Sequence, residues 1–110
     1  MPEQKMQILI NVDSNINGRE RLVAYVTGVV EDALSRFRER LTKVELHLGD
    51  EEHHESGHDD KHCTVRARIK GRQPITAAHR AATMSEAVSG ALDKTKRSIE
   101  STLERLQDHR

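Results

Sequence analysis

Aromatic side chains are almost missing from this 110-residue chain, which has one Tyr, one Phe and no Trp. That argues against domains that bind nucleic acid by stacking bases on aromatic platforms, such as RRM and OB folds. Cysteine is nearly absent too. Cys63 stands alone, so an internal disulfide is excluded and a reducing compartment fits best. No apolar run is long enough to span a bilayer. Met1 to Lys5 is polar, without the apolar segment of a secretory signal, so a soluble cytoplasmic protein with no membrane partner is expected. The six glycines are scattered, which leaves no glycine-rich phosphate loop, and no G-x-S-x-G nucleophile motif occurs. The expectation is a protein that is not an enzyme and needs no cofactor and no small-molecule substrate.

Charge is plentiful instead. Charged residues make up 33% of the chain and hydrophobic residues 35%, so the core should be thin and the surface highly charged. One domain, residues 1–110, accounts for the length. The formal net charge is zero, but the two signs are segregated. Residues 50–60 hold six acids (Asp50, Glu51, Glu52, Glu55, Asp59, Asp60) and no Lys or Arg. The other 99 residues carry 18 basic groups against 12 acids, an excess of six. A basic body with one acidic segment is compatible with a polyanionic partner.

Met6, Ile8, Ile10 and Val12 alternate with polar neighbours, the period of a half-buried strand. Asp13–Gly18 reads as a turn, with Asn17 as helix cap and Glu20 as its capping partner. Helical spacing then runs over 18–41, with Leu22, Val26, Val30, Leu34, Phe37 and Leu41 on one side. Val44, Leu46 and Leu48 mark a second strand, and 49–61 reads as a flexible acidic, His-rich loop. Cys63, Val65, Ala67 and Ile69 alternate with Thr64, Arg66, Arg68 and Lys70, the cleanest strand pattern in the chain. A turn at Gly71-Arg72 leads to a short strand, 73–79, where Pro74 marks its start or a sheet edge. A last helix over 84–107 is capped by Thr83 or Ser85. The order β-α-β-β-β-α predicts an α+β fold with both helices on one face of a four-stranded sheet.

Two constellations carry chemistry. Arg66, Arg68 and Lys70 share one strand face, with Arg72 just beyond. Lys94, Arg97 and Arg105 keep to one side of the last helix, and Lys96 sits at the edge of its apolar stripe. His79 and Arg80 at the end of the fourth strand complete the candidate RNA-binding set. Such rows suit phosphate contact without sequence readout. The competing reading is a solvated face balanced by Glu100 and Glu104. The second constellation is His53, His54, His58 and His62, beside Cys63. These are transition-metal ligand types, but their spacing matches no closed structural zinc pattern, and the alternation points Cys63 inward. A metal-binding module built on 53–63 is therefore one alternative. A protein-interaction or transcription-modulating domain that uses the open sheet face is another.

Several segments also carry a family resemblance. They are Arg40-Leu41-Thr42-Lys43-Val44-Glu45-Leu46-His47-Leu48, Asp60-Lys61-His62-Cys63-Thr64-Val65-Arg66-Ala67-Arg68 and Gly71-Arg72-Gln73-Pro74-Ile75, followed by Ala87-Val88 and Asp93-Lys94-Thr95-Lys96-Arg97. Over about residues 6–107 the chain resembles short forms of the ribosome hibernation-promoting factor family, which includes ribosome-associated inhibitor A and is also called the sigma-54 modulation protein family. The resemblance implies a topology similar to double-stranded-RNA-binding domains. It implies binding to the 30S or 70S ribosome on 16S rRNA phosphates, in the channel for mRNA and tRNA, which idles translation under stress; off the ribosome a monomer is expected. It matches Lys94, Lys96 and Arg97 to the family's basic helix run, and Arg66, Arg68 and Arg72 less specifically. The chain departs from the family at Ser85-Glu86, where an aromatic is usual, and in its long acidic segment. It also ends without the added C-terminal domain with which long members pair ribosomes.

Overall fold

A computed structural model of the chain describes residues 6–14, 16–50 and 61–108. The elements are β1 (Gln7–Val12), α1 (Arg19–Ala33), a 3-10 turn (Ser35–Phe37), β2 (Leu41–Asp50), β3 (Lys61–Ile69), β4 (Ile75–Ala81) and α2 (Met84–Asp108). The strands lie in the order β1-β2-β3-β4. β1 runs parallel to β2, with α1 as the crossover that parallel neighbours require, and the other two pairs are antiparallel. The fold is the expected α+β arrangement.

Alternation decides the two faces. Cys63, Val65, Ala67 and Ile69 are buried while Arg66 and Arg68 are exposed. Val44, Leu46 and Leu48 join them on the inner side. α1 packs over β1, and α2 covers β3 and β4. The core closes with Val26 and Val30 from α1, and Ala87, Val88, Ala91, Leu92 and Ile99 from α2. The described residues leave the opposite sheet face open.

The first helix is shorter than its apolar spacing predicts. It ends at Ala33; Phe37 is buried from the 3-10 turn, and Leu41 opens β2 opposite Ile69. Ser35 Oγ donates to the Asp32 carbonyl, a local bond that competes with helix continuation. The ladder irregularity between Leu41 and Lys43 lets Leu41 and Val44, three residues apart, both face the core. The helix start also differs. Gly18, at φ 71°, is the cap, and no side chain caps the helix, so Asn17 does not serve that role.

β2 and β3 reach further than expected. Gly49 pairs with His62 and Asp50 with Lys61, so both ends of the predicted 49–61 loop are strand. His53, His54 and His58 lie outside the described residues. β4 is shifted to Ile75–Ala81, beginning just after Pro74, and stands at the sheet edge. Thr83 caps α2: its Oγ1 accepts from Glu86 N at 3.2 Å, so Ser85 is not the cap.

Candidate nucleic-acid interface

The open face is not uniformly basic. In the ladder Arg66 stands opposite Glu45, and Arg68 opposite Lys43. Lys43 Nζ in turn lies 3.5 Å from Glu45 Oε2. Carboxylates interleave with cations here, which weakens the patch as a site for phosphate.

A positive surface without interleaved carboxylates among the described residues begins where the β3–β4 hairpin turns. Gly71 takes φ 71°, the left-handed conformation that glycine adopts without a Cβ penalty, and Arg72 N closes the turn on Ile69 O at 3.0 Å. Around this turn Arg68, Lys70 and Arg72 line an open cleft with Thr42, Gln73 and Pro74. α2 runs back along β4, so its last turns arrive beside the same hairpin. Arg72 and Arg105 share a second cleft with Thr102. Arg97 and Arg105, with Ser98 and Ser101, line a third. The three clefts share residues and form one groove. Among the described residues, five cations and several hydroxyls line it and no carboxylate does.

The two predicted patches, strand 66–72 and helix 94–105, are therefore joined through the hairpin. Arg68, Arg72 and Arg97 form no ion pair with any described residue. Arg105 donates to Ser101 Oγ at 3.1 Å, which props its stem along the helix.

Other predicted residues are placed differently. Lys94 reaches across to the β4 edge, where its Nζ donates to Ala78 O at 2.8 Å. It satisfies an edge carbonyl that a further strand would otherwise take. Lys96 is half-buried, 4.0 Å from Asp93. Arg80 projects on the open face across from His62, at the far end of the sheet from the groove. His79 points inward with Cys63, and its ring lies against Gly90 of α2. The structure does not bring His79 together with the basic groove. The hydroxyls of Thr42, Ser98, Ser101 and Thr102 carried no sequence signal, because only the return of α2 to the hairpin makes three of them groove residues.

The two aromatics are structural. The Tyr25 hydroxyl lies 3.5 Å from Ser85 Oγ and ties α1 to α2. Phe37 is buried, with the Arg36 guanidinium 4.7 Å from its ring centre. Arg36 also pairs with Glu100 on the flank of α2 facing α1, which keeps that carboxylate away from the groove.

Cys63 is fully buried, and burial pushes its thiol up to about 12 from an ordinary 9.0. The native thiol should therefore resist alkylation at pH 8, and iodoacetamide labelling should appear only with denaturant. The raised value also links to stability. Below pH 9 both folded and unfolded thiols keep their proton and the full contribution is present. Between pH 9 and about 12 the unfolded thiol ionises first, so stability falls as pH rises. A Cys63→Ala variant should lose this part of the alkaline destabilisation in melts followed from pH 8 to 11.

No helix among the described residues is long and apolar enough to cross a membrane. No curated protein sequence matches the chain. Among solved structures, the chain is similar to a ribosomal subunit interface protein from Coxiella burnetii, with a TM-score of 0.59 at 15% identity, covering 90% of this chain and 97% of that one. That likeness concerns the fold. Residues 10–107, nearly the whole described body, match the family described as sigma 54 modulation protein / S30EA ribosomal protein. The family is one of ribosome-associated factors of hibernation and translation regulation, and its members are not enzymes. The chain thus belongs to the sigma 54 modulation protein / S30EA ribosomal protein family.

Proposed function

We propose that this protein binds the small ribosomal subunit through 16S rRNA phosphates, and that occupancy of the mRNA and tRNA path keeps the ribosome idle. The observation that carries this reading is the continuous groove of Arg68, Lys70, Arg72, Arg97 and Arg105, free of carboxylates among the described residues. Guanidinium groups on a rigid hairpin and a rigid helix can fork onto phosphate oxygens without reading bases. Poverty in aromatics fits the same mode, because backbone contact needs no stacking. Family membership supplies the step from polyanion to ribosome. The protein acts in the cytoplasm, as one 1–110 domain and as a monomer when off the ribosome.

Co-sedimentation tests the reading. The protein should pellet with 30S and 70S particles at low salt. Binding should weaken steeply as salt rises, since each phosphate contact releases about one counterion. Absence from the pellet at low salt would refute ribosome binding. Pelleting that ignores salt would refute the phosphate groove.

A further inference from the structure

The middle of the groove is built from more than cations. Its central cleft shares Arg72, Gln73 and Pro74 with the cleft at the hairpin, and Ile75, Thr102 and Arg105 with the cleft along α2. Three side chains of this central cleft are apolar: Pro74, Ile75 and Leu106, all half-buried. Ile75 also packs against the core, which fixes that wall. The cleft is more enclosed than its two neighbours, and its volume of about 490 Å³ lies in the range of ligand sites, roughly 300–1,000 Å³. Gln73 and Thr102 add an amide and a hydroxyl, and Arg72 and Arg105 add two guanidinium groups. Arg105 Nη1 donates to Ser101 Oγ at 3.1 Å, which steadies its guanidinium.

We infer that the central cleft takes one unpaired nucleobase, given that RNA occupies the groove as proposed above. Apolar side chains gain nothing from phosphate oxygens, but they bury well against the face of a base. Guanidinium planes stack on base faces too. They serve here in place of aromatic rings, since Phe37 is buried in the core and Tyr25 lies on α1 beside Ser85. The Gln73 amide and the Thr102 hydroxyl each can donate and accept, so they can bond the edge of a base. A paired base does not enter, because its edge is engaged and its faces are covered in the stack. The place of the cleft fits a strand. Arg68 and Lys70 line the groove on one side of it and Arg97 on the other. A strand that crosses the groove thus sets phosphates on cations before and after the buried base. An apolar plate with an anion on either side is the chemistry of a nucleotide within a single strand.

Fluorescence anisotropy with the full chain and two probes tests this. One probe is a single-stranded RNA of about ten nucleotides with all four bases, and the other is an abasic strand of the same length and phosphate count. The base-bearing strand should bind at least about tenfold more tightly at equal salt, the gain of one stacked base. The two salt slopes should be equal, because the phosphate contacts are the same. Gln73→Ala, at an exposed hairpin position, should weaken the base-bearing strand about fivefold and leave the abasic strand unchanged. Equal affinity for both strands, each falling with salt, would overturn the base subsite and leave the phosphate groove standing. Binding of neither strand would overturn the groove and the subsite together. A Gln73→Ala loss that is the same on both strands would also overturn the subsite, since Gln73 would then act on the backbone.

Discussion

Reversing three of the four groove arginines together, as Arg72→Glu, Arg97→Glu and Arg105→Glu, should lower ribosome affinity by roughly a thousandfold. Three charge-assisted contacts at about 1.5 kcal/mol each come to about 4.5 kcal/mol. The slope of log affinity against log salt should shrink by about three, one for each lost contact. All three side chains are exposed, so the fold should survive. Glu at position 105 meets the negative end of α2 and costs about 0.5 kcal/mol, a shift of a few degrees in Tm. The matching control is Arg19→Glu, Arg21→Glu and Arg38→Glu, which changes net charge equally at exposed positions on and just after α1. Filter binding or pelleting across a salt series separates the cases. Equal loss in the control would mean that net charge alone drives binding. Full binding by the groove variant would move the contact surface elsewhere, with Lys94 and Lys96 as the next residues to reverse.

Gly90→Ala should destabilise the protein, against what helix propensity predicts. Alanine in a helix interior is favoured over glycine by about 1 kcal/mol. Here, however, a Cβ at residue 90 would collide with the His79 ring, including Cγ, the atom that joins the ring to its stem. The ring cannot simply swing its tip aside; it must leave the cleft between β4 and α2. Overpacking of this kind costs about 1–3 kcal/mol, more than the propensity gain. Tm should fall by roughly 5 °C or more for a domain of this size. The double variant His79→Ala/Gly90→Ala supplies the decisive comparison. With the ring gone, Ala at 90 should become stabilising by about 1 kcal/mol relative to His79→Ala alone. A Gly90→Ala protein as stable as the parent would show that His79 does not occupy this contact. At Gly49, by contrast, an added Cβ would meet only the far ends of the His62 and Asp13 side chains.

Strand periodicity was legible wherever one face is buried and the other wet. Cys63 to Ile69 shows this best, because each residue's side of the sheet follows from a period of two. The end of α1 was not legible. Phe37 and Leu41 continue the helical apolar spacing, yet they are buried from a 3-10 turn and a strand. Burial alone is what such spacing reports, and the same residues can be buried from another backbone. The loop boundaries failed for a related reason. Gly49, Asp50 and Lys61 are polar or small, and only the β2–β3 ladder makes them strand.

The order of elements, the inner face of the sheet and the separation of a basic body from an acidic segment can all be read from residue order. These are local properties, set by periodicity and composition. Which cations meet depends on the packing of the elements. Arg72 and Arg105 are far apart in the chain and share a cleft because α2 runs back along β4 to the hairpin. That packing also turned His79 inward, committed Lys94 to a strand-edge carbonyl and paired His47 with Asp13. Charge in sequence counts side chains, whereas a binding surface depends on distances of a few ångströms between them, and those distances are set by how the helices pack on the sheet.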